Sequence, residues 1–200
     1  MNYLPRTIQP VIEEASKFFK IVMVSGMRQV GKSTLLKQLS SDKRTIISFD
    51  DINNLESAKN APLQFLQLNP PPCFFNQVQR VPEIFKALKI SVDSRSEKGL
   101  YWLSGSQKLS LMSQVSDALP GRLMNFELWP FSIYEIAGKG LEQKPYLPSF
   151  SLSSNLPILD PADTWNAVFQ GFWPELKKAT ETERSWFFRS LVDLYLSRDV

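Results

Sequence analysis

Residues 21–36 read "IVMVSGMRQVGKSTLL", and they contain the strongest structural signal in the sequence. Its first five residues are a mostly apolar run without polar alternation, which predicts a strand buried on both faces. The next eight residues, "GMRQVGKS", have the spacing Gly, four residues, Gly, Lys and Ser. That spacing is the pattern of a phosphate-binding loop. Helical spacing follows in "LLKQLSS", so strand, glycine turn and helix come in the order that such a loop requires.

The loop predicts a nucleotide site. We expect its backbone N–H groups to surround phosphate oxygens at the positive end of the following helix. In a loop of this type Lys32 contacts the β- and γ-phosphates and the Ser33 hydroxyl ligates Mg²⁺. The predicted ligands are therefore ATP or ADP, with Mg²⁺. The predicted nucleotide-binding residues are Gly26, Met27, Arg28, Gln29, Val30, Gly31, Lys32, Ser33 and Thr34.

A second apolar run, residues 72–76, ends in Asn76 and Gln77, where a nucleotide hydrolase has two acids. We predict that Asn76 lies at the metal position. Its amide oxygen can accept a hydrogen bond from a metal-bound water, but it brings no negative charge. We predict that Gln77 lies at the catalytic position, where an amide can orient water but cannot accept its proton. Nucleotide binding should survive these residues better than hydrolysis does.

Three interpretations of the amide pair stay open at this stage. The pair is a misaligned strand end, a naturally inactive site, or a double substitution that traps bound nucleotide; we favour the last two. Asp50 and Asp51, at the end of the preceding strand candidate, are the nearby acids. They either supply the missing charge, which would make an active ATPase, or form a turn and a helix cap.

Two further residues are candidates for catalysis. Ser106, in the "LSGSQ" segment at residues 103–107, follows a strand candidate and is placed to sense the γ-phosphate; Gln107 is the alternative sensor. Arg122 follows a Pro-Gly turn and is a candidate arginine finger, for its own site or for a neighbour's. Each also has a plain interpretation, because Ser-Gly-Ser is a common turn and a surface arginine is common after Pro-Gly.

The remaining pattern predicts an α/β fold. Strand candidates at residues 45–50, 72–76, 100–105 and 123–128 alternate with helical patterns, one of which starts at Pro82. This alternation predicts three layers around a mostly parallel sheet. We predict an ATPase core at residues 1–138, a Pro/Ser-rich connection at 139–160 and a helical region at 161–200. The last helical pattern has no stop signal, so we expect the chain to be truncated there.

Composition limits the remaining possibilities. The chain has no histidine and one cysteine, Cys73, which excludes histidine-based zinc sites, Ser-His-Asp triads and an intrachain disulfide. No stretch resembles a signal peptide or a membrane span, so we expect a cytoplasmic protein without membrane contact. The net charge of +3 permits nucleic-acid binding without indicating it.

Five segments together resemble one family: "SGMRQVGKSTLL", "FFNQVQRVPEIFKALKISVD", "WLSGSQ", "LPGRLMNFELWPFSIYE" and "GFWPEL…YLSRDV". They resemble the prokaryotic AAA-type ATP-binding proteins that carry a C-terminal domain of unknown function. The resemblance implies a three-layer P-loop NTPase fold of the ASCE/AAA-like kind, and it places Lys32, Ser33, Asn76 and Gln77 on the family's phosphate, magnesium and acid-pair positions. It also implies that this chain is the N-terminal ATPase portion.

The leading hypothesis is therefore an ATP-binding module with impaired hydrolysis. A rival of another class is a non-catalytic interaction module whose surface is ordered by bound nucleotide. AAA-type sites often form between subunits, so a homo-oligomer or a protein partner is also expected by analogy.

Overall fold

The structure is a computed structural model. It describes residues 3–40, 43–106, 115, 118–142 and 160–199, with side chains up to residue 193. The chain divides into two compact units, one formed by Ile8–Trp129 and the other by Met1–Thr7 together with Pro130–Val200. The domain boundaries predicted at residues 138 and 160 stay predictions, and most of the predicted connection, 143–159, lies outside the described residues.

The unit formed by Ile8–Trp129 contains a five-stranded sheet in the order β2-β3-β4-β1-β5, and every strand pair in it is parallel. Its strands are β1 (Ile21–Ser25), β2 (Thr45–Ser48), β3 (Cys73–Asn76), β4 (Tyr101–Ser104) and β5 (Leu123–Glu127). Its helices are α1 (Gln9–Phe18), α2 (Lys32–Ser40), α3 (Ile52–Asn60), α4 (Pro62–Leu68) and α5 (Ile84–Asp93), with a short 3₁₀ turn at Val78–Arg80. The predicted α/β fold with a parallel sheet is confirmed.

Both faces of the sheet are covered by helices. All five residues of β1 are buried, as the absence of polar alternation predicted. One face carries a core with stacked rings of Phe49, Phe75 and Tyr101, whose neighbouring centroids lie 5.7 and 5.6 Å apart. Buried residues of α3, α4 and α5 belong to the same core. The alternate strand residues, which point to the other face of the sheet, and the buried leucines of α2 do not belong to this core. The sheet therefore lies between two helical layers, as predicted.

Helix α5 buries the face that the apolar spacing predicts. Ile84, Phe85, Leu88 and Val92 are all buried, as their shared helical face predicted. The helix begins at Ile84, two residues after the Pro82 that was expected to open it. The four strands other than β1 likewise begin or end one or two residues inside the predicted ranges.

The other unit is helical where it is described. It contains α6 (Ile133–Ile136), α7 (Pro161–Gln170) and α8 (Glu181–Asp199), with 3₁₀ turns at Gly140–Glu142 and Pro174–Lys178. The buried Arg6 forms an ion pair with the buried Glu135, with Nε 3.1 Å from Oε1. Glu135 also completes a capping box with Ser132 at the start of α6, so one carboxylate holds residues 3–7 against this short helix. The predicted helices of the C-terminal region are confirmed.

Candidate functional site

The phosphate-loop motif lies between β1, which ends at Ser25, and α2, which begins at Lys32. The backbone turns back at three loop residues with positive φ: Gly26 (137°), Gln29 (61°) and Gly31 (96°). Residues in such conformations let successive N–H groups point into one concavity, which is a site for anions. Val30 is fully buried and anchors the loop to the core. The exposed Thr34 and Gln29, and the half-buried Met27 and Arg28, complete the predicted set.

Gly26 is required by the sheet as well as by any ligand. A Cβ placed on Gly26 would collide with the backbone carbonyl oxygen of Leu128. That carbonyl lies just beyond β5, which pairs with β1, and the Leu128 N–H donates to the Ser25 carbonyl at 2.8 Å. The first glycine of the motif therefore lies where the backbone just beyond β5 leaves no space for a side chain.

The Lys32 ammonium is folded onto the loop. Its Nζ donates to the carbonyl oxygens of Gly26, at 2.9 Å, and Met27, at 2.5 Å. Burial, and then the positive charge of Arg28, lower the pKa of Lys32 from 10.5 to about 8. Desolvation disfavours the charged form of an amine that lacks an anionic partner. An anion in the loop would therefore interact with a positive charge that the free protein stabilises poorly.

Asn76 lies at the centre of a row of polar side chains at the carboxyl ends of three strands. The parallel register places Ser48, Asn76 and Ser104 side by side on β2, β3 and β4. The Asn76 Oδ1 accepts hydrogen bonds from the Ser104 hydroxyl at 2.7 Å and from the Ser33 hydroxyl at 2.5 Å. The Asn76 Nδ2 donates to the Ser48 hydroxyl at 3.2 Å. The last residue of β3 is thus joined directly to the first turn of α2.

Gln77, the residue after β3, has a left-handed backbone with φ 64° and ψ 44°. Its Oε1 accepts a hydrogen bond from the Gln79 Nε2 at 2.6 Å. The Gln79 Oε1 in turn accepts a hydrogen bond from the Ser106 N–H at 3.3 Å. Ser106 is therefore linked through Gln79 to the segment that follows β3, and its role as a sensor stays a prediction. Gln107 lies outside the described residues.

The two acids at the end of β2 have other partners. Asp51 is the N-cap of α3, and its Oδ1 accepts from the N–H groups of Asn53 and Asn54. This is the helix cap that the sequence offered as the alternative to a catalytic role. Asp50 forms an exposed ion pair with Arg80, with Oδ1 3.0 Å from Nη1. Both carboxylates therefore have partners within the part of the chain that the structure describes.

Arg122 contacts residues other than those of the phosphate loop of its own chain, and its role as an arginine finger stays a prediction. It precedes β5, and its carbonyl accepts from Ile21 N–H at the beginning of β1. The loop is at the other end of β1, about 16 Å away for a strand of that length. Arg122 instead pairs with Asp93, with Nη2 3.1 Å from Oδ2. A role at a neighbouring chain's site stays a prediction.

Three residues of the site were not predicted. Ser48 and Ser104 contact Asn76, and Gln79 contacts Gln77. A sequence signal did exist for the two serines, because each is a small polar residue at the end of an apolar strand run. Recognising them required the strand order, which puts β2 and β4 on either side of β3. Gln79 lies in a 3₁₀ turn, and no feature of the sequence indicated that it would contact the site.

The loop motif follows β1, and β4 lies between β1 and β3 in the sheet. A family model described as an AAA domain matches residues 18–137. The chain belongs to this AAA domain family. The resemblance found in the sequence is confirmed, and the match covers the loop, β3 and all five strands of the sheet.

Two curated relatives are similar to part of this chain. One is an uncharacterized protein of Mycobacterium bovis and the other an uncharacterized protein of Mycobacterium tuberculosis. Each is 27% identical to this chain over 141 residues, which are 68% of this chain and 32% of the relative. The aligned part is thus about a third of the length of these relatives.

None of the helices described for this AAA domain protein combines the length and the apolar character that crossing a membrane requires.

Proposed function

We propose that this chain binds ATP with Mg²⁺ at the loop of residues 26–34 and that Asn76 and Gln77 impair its hydrolysis. AAA domains are nucleotide-binding P-loop NTPases, and the finer assignment rests on one observation. The Ser33 hydroxyl contacts the Asn76 amide oxygen at 2.5 Å. The residue that ligates magnesium in a phosphate loop and the residue at the first acid position therefore share one hydrogen bond.

The loop residues suit the phosphates of a nucleotide. The turned backbone of residues 26–31 offers N–H groups, and the half-buried Lys32 supplies a positive charge whose desolvation an anion would offset. Lys32 would exchange its bonds to the Gly26 and Met27 carbonyls for phosphate oxygens. A phosphate oxygen carries a negative charge that a carbonyl oxygen lacks, so the exchange adds a Coulomb attraction to each hydrogen bond.

The residues suit Mg²⁺ less well. Ser33 and Asn76 offer neutral oxygens, and the described residues include no group of three or more His, Cys, Asp or Glu side chains that could hold a metal. The ion favours oxygen ligands and is commonly held by carboxylates and substrate phosphates. Mg²⁺ bound here would neutralise phosphate charge, and the phosphates themselves would have to supply most of its anionic ligands.

Gln77 cannot take the proton of an attacking water, because an amide has no useful basicity. Within the described part of the chain, Asp50 and Asp51 are occupied by Arg80 and by the N-terminus of α3. We therefore infer that the rival hypothesis, an active ATPase that uses Asp50 or Asp51, is the weaker one. A finite slow turnover is expected, since a glutamine can still orient water.

The test compares phosphate release by the unaltered chain with that by Asn76→Asp, Gln77→Glu and the double variant. A positioned general base contributes about 10²- to 10⁴-fold in rate, so the double variant should gain a factor of that order. Gln64→Glu with Gln67→Glu, two exposed positions of α4, adds the same charge elsewhere and should leave the rate unchanged. Equal rates for the unaltered and double-variant chains would overturn the impaired site.

A second candidate function is a non-catalytic interaction module ordered by nucleotide. The observation in its favour is a set of exposed apolar residues on α7: Trp165, Val168 and Phe169 are 72%, 53% and 76% exposed. Their spacing puts them on one helical face. This function predicts a rise in melting temperature with ATP that survives the removal of Mg²⁺, and no turnover in the double variant.

A further inference from the structure

Gln79 uses both ends of its side-chain amide to connect two loops. The Nε2 donates to the Gln77 Oε1 at 2.6 Å, and the Oε1 accepts from the Ser106 N–H at 3.3 Å. Gln77 follows β3 and Ser106 follows β4, two neighbouring strands. Gln79 thus fixes the segments beyond both strands against each other at the edge of the sheet that carries the phosphate loop.

The bond from Gln79 also determines what Gln77 offers to a ligand. The Oε1 accepts the bond from Gln79, and the Nε2 has no hydrogen-bond partner among the residues that the structure describes. An amide nitrogen donates and does not accept. The Nε2 of the side chain held in this way can therefore donate to a negatively charged oxygen of a ligand.

Two further observations indicate that this edge is arranged for a ligand. Gln77 keeps a left-handed backbone, which costs a residue other than glycine about 1–2 kcal/mol and persists only where its surroundings enforce it. The Ser106 Oγ is buried and has no hydrogen-bond partner within the described residues. Two unsatisfied polar groups therefore lie on the two segments that Gln79 joins.

We infer that Gln79 is a positioning residue, which orients the Gln77 amide so that its Nε2 donates to the terminal phosphate of a nucleoside triphosphate. The inference rests on the proposed nucleotide site, where Asn76, the neighbour of Gln77, contacts Ser33 of the phosphate loop. A diphosphate lacks the terminal group. Gln79 therefore contributes to the preference of this chain for triphosphate over diphosphate, although it does not itself touch the nucleotide.

The experiment measures Mg²⁺-dependent binding of a non-hydrolysable ATP analogue and of ADP by isothermal titration calorimetry. One hydrogen bond changes affinity by about three- to tenfold. Gln79→Ala and Gln77→Ala should each reduce the ratio of triphosphate to diphosphate affinity by that factor. The double variant should reduce the ratio no further, because the two residues act through one contact. Gln67→Ala, at an exposed glutamine of α4, is the matched control and should leave the ratio unchanged.

Gln79→Glu provides a second variant in case Gln79→Ala folds poorly. A carboxylate at position 79 still accepts from the Ser106 N–H but cannot donate to the Gln77 Oε1. The Gln77 amide would turn to donate to it and would present its oxygen to the ligand, so the triphosphate preference should fall as in Gln77→Ala.

The outcomes separate the two proposals. If the unaltered chain binds neither nucleotide, the proposed function is wrong and this inference is wrong with it. If both nucleotides bind but the Gln79 variants weaken them equally, or the effects of Gln77→Ala and Gln79→Ala add, the nucleotide site stands and the role of Gln79 is wrong.

Discussion

Gly26→Ala should destabilise this protein even when no nucleotide is present. Gly26 has a φ of 137°, a conformation that residues with a side chain rarely adopt. An added Cβ would also collide with the Leu128 carbonyl oxygen, a backbone atom that cannot rotate away. Both effects come from the protein backbone and do not depend on a bound nucleotide.

The expected loss follows from adding these two terms. A backbone held in a sparsely populated region costs about 1–3 kcal/mol. Forcing an extra carbon into a packed site costs about 1–3 kcal/mol more. Together they predict that the free energy of unfolding falls by about 2–6 kcal/mol, a large part of the roughly 5–15 kcal/mol typical of a domain.

Urea unfolding followed by circular dichroism measures this difference, and Gly121→Ala is the matched control. Gly121 also has a positive φ, 71°, but a Cβ there would meet no atom within 4 Å. Its substitution should cost about 1–2 kcal/mol, the backbone term alone. Equal losses for the two variants would refute the argument that contact with the neighbouring strand end dictates the first glycine. So would a Gly26→Ala protein that is destabilised only in the presence of ATP.

Two further predictions concern charged residues. The pKa of Lys32 is lowered from 10.5 to about 8 in the folded protein, so between these values the unfolded chain holds a proton that the folded chain has lost. The contribution of Lys32 to stability should therefore rise with pH in this range, while ATP affinity falls by up to about tenfold per pH unit above 8. Lys32→Met should remove the rise in stability, as urea unfolding at several pH values would reveal, and should largely abolish ATP binding. Arg122→Ala should leave the ATP affinity, measured by calorimetry, within about twofold of that of the unaltered chain, because Arg122 lies at the other end of β1. A loss above tenfold in a monomeric sample would contradict its placement.

The sequence was most informative where local chemistry is decisive. The buried strand at residues 21–25 was predicted to the residue, and a helix was predicted directly after the glycine turn, where α2 is found. Uninterrupted apolar runs and glycine turns permit few other backbone conformations, which explains this accuracy. The helix formed by residues 9–18 was not predicted, since its proline and acids obscure a short apolar pattern.

Sequence could not predict which distant side chains would meet. Arg122 was considered for the site on the strength of its neighbours in the chain, but parallel pairing puts the beginning of β5 beside the beginning of β1, far from the loop. The sequence left open whether Asp50 supplies charge to the site or forms a turn, and it did not indicate the ion pair with Arg80 that the structure shows. Such contacts depend on strand order and register, which local patterns do not encode.

Consecutive residues of the sequence were enough to predict the loop motif, the alternation of strands and helices, and the amide pair Asn76 and Gln77 at the end of a strand. The surroundings of those amides became known from the fold. Ser33, Ser48 and Ser104 contact Asn76, and Gln79 holds Gln77. Parallel strands bring residues about 28 positions apart into one row at the edge of the sheet. A hydrogen bond depends on that proximity in space rather than on separation along the chain.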